Sequence, residues 1–393
     1  MWNWKTLVQY VPEPGGTFDA KAWLDAFPQL ERAKTTPQDP IHHAEGDVWT
    51  HTVMVALALL AHPAFAALNE TERQTIFTAA VLHDIAKCDT TQVDVQTGRI
   101  SQPGHSRRGA VDARLALWAM DTPMPQREAI CRMIGVHQEP FFAINGSRSG
   151  KSPEFLVRRL SWLADLHVLA LLAEADIRGR LCSDPQRVLD DIELFRELAK
   201  DEHCYRTPRS FVDAHTALAY FRGAELHPDY PLHSEPGAQV TIMCGLPASG
   251  KNTWVQAHRP DQAVVSFDDA RTELGLRHGK NEGAVAHRAH DKAKALLRRK
   301  QDFVWNATHL SEQMRRKSLD LCLAYGATVE IVHLEAPRDA LFKRNNQRAT
   351  SLSNAALLGM VSKWEAPLPV EAHALQWWQA ARANADADQL IGI

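Results

Sequence analysis

The sequence predicts two folds in series: a multidomain chain with an all-α domain first and an α/β domain second, the latter a parallel sheet flanked by helices. Three observations predict this. Between Val48 and Lys200 apolar residues recur at helical spacing, with few strand-like runs. After Ala238, short apolar runs alternate with helical stretches, the pattern of a parallel sheet with helices on both faces. At the head of that second region the run Val240-Thr241-Ile242-Met243-Cys244 leads into Gly245-Leu246-Pro247-Ala248-Ser249-Gly250-Lys251, a glycine-rich turn between a strand and a helix.

The first region predicts helices over Val48–Ala61, Glu70–Lys87, Arg108–Ala119, Gln126–His137, Pro153–Gly179 and Pro185–Lys200, separated by loops such as Asn145–Lys151. The boundary is expected in Gly223–Gln239, which holds three prolines and two glycines between the patterned regions, giving domains at residues 1–225 and 238–393. Beyond it, strands are expected at Val240–Cys244, Ala263–Phe267, Asp302–Trp305 and Thr328–Leu334, and helices at Lys251–His258, Ala284–Lys300 and Ser311–Tyr325. Trp364–His373 reads as an ordered tail near the second site, and Ala383–Gln389 as a frayed end.

With 393 residues, 45% hydrophobic and 23% charged, the chain has the composition of a globular protein with room for two cores. No apolar run approaches the ~18 residues of a membrane span, and no secretory leader is apparent at Met1–Tyr10. The six cysteines are scattered without a CxxC pair, so free thiols and a cytoplasmic location are expected. The net charge of −3 is unevenly spread: from Ala238 onward 20 Lys and Arg face 16 Asp and Glu, against 24 and 31 before it. A basic second half suits a polyanionic partner, or is an ordinary solvated surface.

In the first region five features follow in order: His51 at a helix start, the pair His83-Asp84, His105, His137 and Asp176. Imidazoles and carboxylates together suit first-row divalent ions, and the lack of a thiolate argues against structural zinc. This order resembles the HD phosphohydrolase superfamily, with Val81–Lys87 close to its HDxxK run. The resemblance implies His51, His83, Asp84 and Asp176 as metal ligands, Lys87 as a phosphate contact, and His105 and His137 as ligands of a second ion or as holders of substrate phosphate. Asp165 is a rival for the last carboxylate. Asp176 is preferred because its surroundings, Ala173–Arg180, resemble the HD domain of bacterial CCA-adding enzymes. His42, His43 and Glu45 are expected at the pocket border rather than among the ligands.

In the second region the glycine turn aims main-chain N–H groups at a triphosphate and Lys251 reaches its β- and γ-phosphates. Residues Gly245–Thr253 are therefore the expected NTP site, with Mg2+. The position after Lys251, usually a Mg2+-binding Ser or Thr, is Asn252; its amide oxygen, or Thr253 through water, is the available substitute. Asp268, where the next strand ends, stands where a kinase places the base for an acceptor hydroxyl, and Arg271 lies one helical turn on. Arg344 and Arg348, four apart, are expected on one helix face over the glycine loop. From about Val240 to Trp364 this series resembles the 5′-hydroxyl polynucleotide kinases. The resemblance implies Lys251 on the phosphates, Asp268 as general base, Arg271 on the acceptor's phosphate, and Arg344 and Arg348 as lid arginines. Asn306 stands where the phage enzyme has an aspartate.

An HD domain followed by this kinase type resembles the bacterial HD phosphohydrolase–polynucleotide kinase family, which heals broken RNA ends. The resemblance implies removal of 3′-phosphate or 2′,3′-cyclic phosphate ends with Mn2+, Co2+ or Ni2+, phosphorylation of 5′-hydroxyl ends of RNA, with DNA as an alternative, and a separate RNA ligase. Two alternatives stay open: an HD nucleotidase fused to a small-molecule or nucleoside kinase, and a nucleotide-sensing regulator.

Overall fold

The computed structural model describes residues 2–145, 150–277, 279–348, 351–380 and the backbone of 390–392. The frayed end expected at Ala383–Gln389 lies outside the described residues. The chain divides into two compact units, Met1–Arg209 and Ser210–Ile393. That division falls ahead of the Gly223–Gln239 segment, because a helix at Ala214–Phe221 goes with the second unit. His215 Nδ1 there lies 3.3 Å from His373 Nε2, and Arg222 pairs with Asp320.

The first unit is helical. Its principal helices are α1 (Val48–Ala61), α2 (Glu70–Leu82), α3 (His105–Ala119), α4 (Met124–Val136), α5 (Leu166–Arg178) and α6 (Pro185–Asp201). The first two starts have local causes: Asp47 accepts the Thr50 N–H to cap α1, and Asn69 with Glu72 forms a capping box on α2. The expected long helix Glu70–Lys87 stops at Leu82. Residues 83–86 turn before a short helix resumes at Lys87, so the His83-Asp84 pair sits in the break. Likewise Pro153–Gly179 is two helices, because the Asp165 carboxylate caps the second by accepting the His167 and Val168 N–H groups. Residues 2–47, given no elements by the sequence analysis, supply Trp4, Trp23 and Phe27 to the core, where Phe77 packs edge-on against Trp23 and Phe18. A buried cluster fixes α3 against α4: Arg114 Nη2 donates to Glu128 Oε2 at 2.7 Å, and Arg127 Nε to Glu128 Oε1 at 2.9 Å.

The second unit is a twisted sheet with flanking helices. Its strands are β1 (Gln239–Cys244), β2 (Ala263–Ser266), β3 (Phe303–Asn306), β4 (Thr328–Glu335), β5 (Ala374–Ala380) and β6 (Leu390–Gly392), in the order β2-β3-β1-β4-β5-β6. The first five run parallel and β6 is antiparallel. β1 lies inside the sheet and is buried from Val240 to Cys244, as a strand covered on both faces requires. The expected strands and helices form with boundaries moved by one or two residues. Trp364–His373, expected as an ordered tail, forms neither helix nor strand; beyond it the chain returns to the sheet as β5, a strand the sequence analysis did not expect, paired with β4 from Glu330–Ala374 to Glu335–Gln379. Trp377 there packs on His333, and Trp378 on Trp254 and His258. No helix among the described residues is long and apolar enough to cross a membrane.

Candidate functional site

The first unit brings His51, His83, Asp84, His105, His137 and Asp176 into one buried cluster. His51 Nε2 lies 3.1 Å from Asp176 Oδ1, 3.4 Å from His83 Nε2 and 3.7 Å from Asp84 Oδ2. Asp84 also faces His83 Nε2 at 3.0 Å and His105 Nε2 at 3.5 Å. The potential ligand atoms of His51, His83 and Asp84, of His83, His137 and Asp176, and of Asp84, His105 and His137 each lie within 4.8 Å of one another. Asp84, His83 and His137 each belong to two of these groups. Asp165 is outside it, committed to its helix cap and to Arg206 at 3.3 Å.

The main chain sets the tautomer of each imidazole. Nδ1 of His83, His105 and His137 lies 2.7–2.8 Å from the carbonyl three residues earlier: Ala80, Gln102 and Ile134. A carbonyl only accepts, so Nδ1 carries the proton and Nε2 keeps its lone pair for the cluster. For His83 and His137 these carbonyls are among those a helix C-terminus leaves unsatisfied, so the ring caps its own helix while presenting the other nitrogen. His51, inside α1, reaches the Gly179 carbonyl at 3.1 Å and Glu45 Oε1 at 3.0 Å. Gly179 permits this: a Cβ there would stand 2.6 Å from the Val55 N, one turn along α1 from His51.

The donor set fits divalent cations. The C-terminal ends of α2 and α4 converge on it, and helix C-termini favour positive charge. Neither Asp84 oxygen has a hydrogen bond of good geometry despite full burial, although Lys87 Nζ stands 2.7 Å from Oδ2, and His137 Nε2 has no partner. Burial would raise the Asp84 pKa, but the neighbouring His83 ring and the Lys87 ammonium hold it well below the usual carboxylate range. Asp176 is likewise held low by Arg180, which grips it with Nε at 3.1 Å and Nη2 at 2.9 Å, and by His51. Burial pushes His137 down to about 3, leaving it neutral as a ligand must be. Lys87 is buried, its ammonium between Asp84 and Gln38 Oε1 at 2.6 Å. Gln38 and Arg180 were not among the expected site residues, and Glu45 was expected only at the pocket border, where it stands against His43 and His51.

In the second unit the turn Gly245–Gly250 joins β1 to the helix Lys251–His258. Gly245 has φ 145°, and a Cβ there would meet the Leu334 carbonyl at 2.2 Å, so no other residue fits. Gly250 has φ 105° and Ala248 φ 65°, a left-handed conformation that costs an L-residue about 1–2 kcal/mol. Leu246 and Ser249 are buried, while Pro247 is half-buried. This curled loop at a parallel strand's C-terminal end fits a nucleotide's phosphates. Lys251 Nζ donates to the Gly245 and Leu246 carbonyls at 2.9 and 2.8 Å, and burial pushes its pKa down to about 8.

Asn252 and Asn306 meet: Asn306 Nδ2 donates to Asn252 Oδ1 at 2.8 Å. The pair gives a Mg2+ ion one amide oxygen and no carboxylate, so an ion arriving with the triphosphate keeps mostly phosphate and water ligands. Thr253 is exposed beside it. Asp268 lies in the first turn after β2, its carboxylate 85% exposed and 2.5 Å from Arg271 Nη1; Arg271 is anchored by Glu282 Oε2 at 3.0 Å. Arg344 lies in the helix Arg338–Gln347, but Arg348 does not share its helical face. It is the residue beyond the helix, with ψ 144°, where Asn345 exchanges hydrogen bonds with Leu352 and turns the chain.

The comparisons with known proteins follow this division. Residues 48–176 match the HD domain family and residues 240–367 match an AAA domain family. The chain therefore joins an HD phosphohydrolase domain to a P-loop kinase-type domain, the first implying a divalent metal and the second a nucleoside triphosphate with Mg2+. Similar solved structures include a protein assigned as a kinase from Chloroflexus aurantiacus (20% identity, 37% of this chain and 87% of that one, TM-score 0.32). Others are the APS kinase of Mycobacterium tuberculosis (16%, 36% and 90%, TM-score 0.29) and a gluconokinase from Sinorhizobium meliloti (13%, 38% and 86%, TM-score 0.28). None of the curated proteins matches the chain.

Proposed function

We propose that this protein heals broken RNA ends. The HD domain clears a 3′-phosphate or a 2′,3′-cyclic phosphate, and the P-loop domain phosphorylates the 5′-hydroxyl. The observation that carries this reading is the pairing of Asp268 with an arginine already anchored beside it by Glu282. A base for an acceptor hydroxyl with a guanidinium next to it suits an acceptor that bears a phosphate of its own, as a polynucleotide end does.

In the HD domain, Nε2 of His51, His83, His105 and His137 and the carboxylates of Asp84 and Asp176 would hold the ions. When bound, these lower the pKa of water and neutralise phosphoryl charge. Lys87 and Arg180 steady the two carboxylates from behind. In the kinase domain, Lys251 leaves the loop carbonyls for the β- and γ-phosphates. Asp268 accepts the hydroxyl proton as that oxygen attacks, and Arg344 and Arg348 neutralise charge on the transferred group. A separate ligase would seal the two ends.

Transfer of labelled γ-phosphate tests the reading with 5′-hydroxyl RNA, the matching DNA, free nucleosides and gluconate offered in parallel. RNA, or RNA and DNA, should be the acceptors. Transfer to nucleosides or gluconate with none to oligonucleotides would discard it in favour of a small-molecule kinase. Failure to release phosphate from 3′-phosphorylated RNA with Mn2+, Co2+ or Ni2+ would remove the HD half.

A further inference from the structure

We infer that Glu45 is the residue that orients and strengthens the metal ligand His51. This rests on the proposed metal centre. His51 differs from the other three cluster histidines in lying a full turn inside its helix, where the carbonyl three residues back, that of Val48, already accepts the Thr52 hydroxyl; His83 and His137 follow the last residue of a helix and His105 opens α3. Its ring cannot fold back three residues as those of His83, His105 and His137 do. Its Nδ1 finds its hydrogen-bond acceptor elsewhere, in the Gly179 carbonyl at 3.1 Å, and Glu45 Oε1, 3.0 Å from the same nitrogen, is the charged group beside it.

The Glu45 side chain is built for this task. It is 1% exposed. Oε1 also receives His43 Nδ1 at 2.8 Å, and Oε2 receives the Leu181 N–H at 2.9 Å. The Ala44 N–H bonds the Leu181 carbonyl at 2.9 Å, so main chain and side chain together lock the loop carrying Glu45 to the turn after α5. That turn also holds Gly179, the other acceptor of His51, and Arg180, the clamp on Asp176. A carboxylate on the far nitrogen of a metal-bound imidazole raises the ligand's basicity, and losing such a partner costs about 10–100-fold in metal affinity. Glu45 precedes the residues that match the HD domain family, which begin at position 48.

The test is titration of Mn2+ into metal-free full-length protein, followed by calorimetry and by the Mn2+ electron paramagnetic resonance signal. Glu45→Gln keeps the shape of the side chain, but its one oxygen cannot serve both the imidazoles and the Leu181 N–H. A donor must face a donor at one end. It should bind Mn2+ about 10–100-fold more weakly than the parent, with an unchanged far-ultraviolet circular dichroism spectrum showing that the fold is retained. His43→Ala removes the competing donor and leaves Oε1 to His51 while Oε2 keeps the Leu181 N–H, so its affinity should match or exceed the parent's. Equal affinity in Glu45→Gln overturns the inference. So does a loss in His43→Ala as large as that in Glu45→Gln, since packing of the loop would then set the affinity. If the parent itself binds no Mn2+, the metal-centre reading fails first.

Discussion

In the HD centre the ligand side chains of His51, His83, Asp84 and Asp176 are at most 1% exposed, and each imidazole leans on a main-chain carbonyl, His51 on the Glu45 carboxylate as well. In the P-loop centre the reacting groups are paired with each other: Lys251 with loop carbonyls, Asp268 with Arg271, and Asn252 with Asn306, while the Asp268 carboxylate stays 85% exposed. The first is organised before its ligand arrives. The second must exchange internal partners for substrate ones, so its substrates complete it. The difference follows from chemistry. Neutral imidazoles can be buried when each has one hydrogen bond, whereas a site that admits a triphosphate and a phosphoryl acceptor must stay open to water.

The comparison can be broken most directly through Asp268. On the proposed function, Asp268→Ala should lower phosphate transfer by about 10²–10⁴-fold, the usual worth of a positioned base, and leave 3′-phosphate release unchanged. Parallel assays of both activities check this, and a joint loss with the fold intact would show that the centres are not independent. Next, His83→Ala should weaken Mn2+ binding beyond the 10–100-fold of an outer partner and abolish phosphate release, while transfer continues. Metal content and phosphate release read this out.

A smaller effect concerns pH. Lys251 sits at about 8 in the nucleotide-free protein, because burial disfavours the ammonium. Below that pH the charge is present for the triphosphate; above it, binding must first take up a proton. NTP affinity should therefore fall as pH rises through about 8, by up to about tenfold per unit, and Lys251→Arg should flatten the curve. A fluorescent NTP analogue titrated between pH 7 and about 10 measures it. The smallest effect is expected from Asn306→Asp, which restores a carboxylate beside the P-loop. It should lower the Mg2+ concentration for half-maximal transfer several-fold, and an unchanged Mg2+ profile would show that position 306 does not face the ion.

The parts of both sites that depend on sequence order were legible. The glycine loop is read from residue type and spacing, and the ligand series of the HD centre from the order of its residues and the family resemblance that order carries; the structure gathers the latter and curls the former. What was not legible depends on distant pairs. Glu45 reaches Leu181, 136 positions away, and Asn306 reaches Asn252, 54 away. No local period announces either. Glu282, which holds Arg271, is in the same class, as is Arg180, which looked like any arginine after a helix. Helix periodicity carried α1, but not the break after Leu82, where apolar spacing continues through residues that turn. β5 escaped because an outer strand, half-exposed on both faces, shows neither alternation nor a long apolar run; its paired tryptophans were the available signal.

The histidines that lean on carbonyls three residues behind them have a further consequence. The supports of His83, His105 and His137 are peptide groups, so no single amino-acid replacement can delete them. Random substitution around these three leaves their aim largely intact so long as the helix ends stay in place. His51 alone depends in part on another residue's side chain. Loss of function by drift, short of changing a ligand, would therefore begin at the loop before α1.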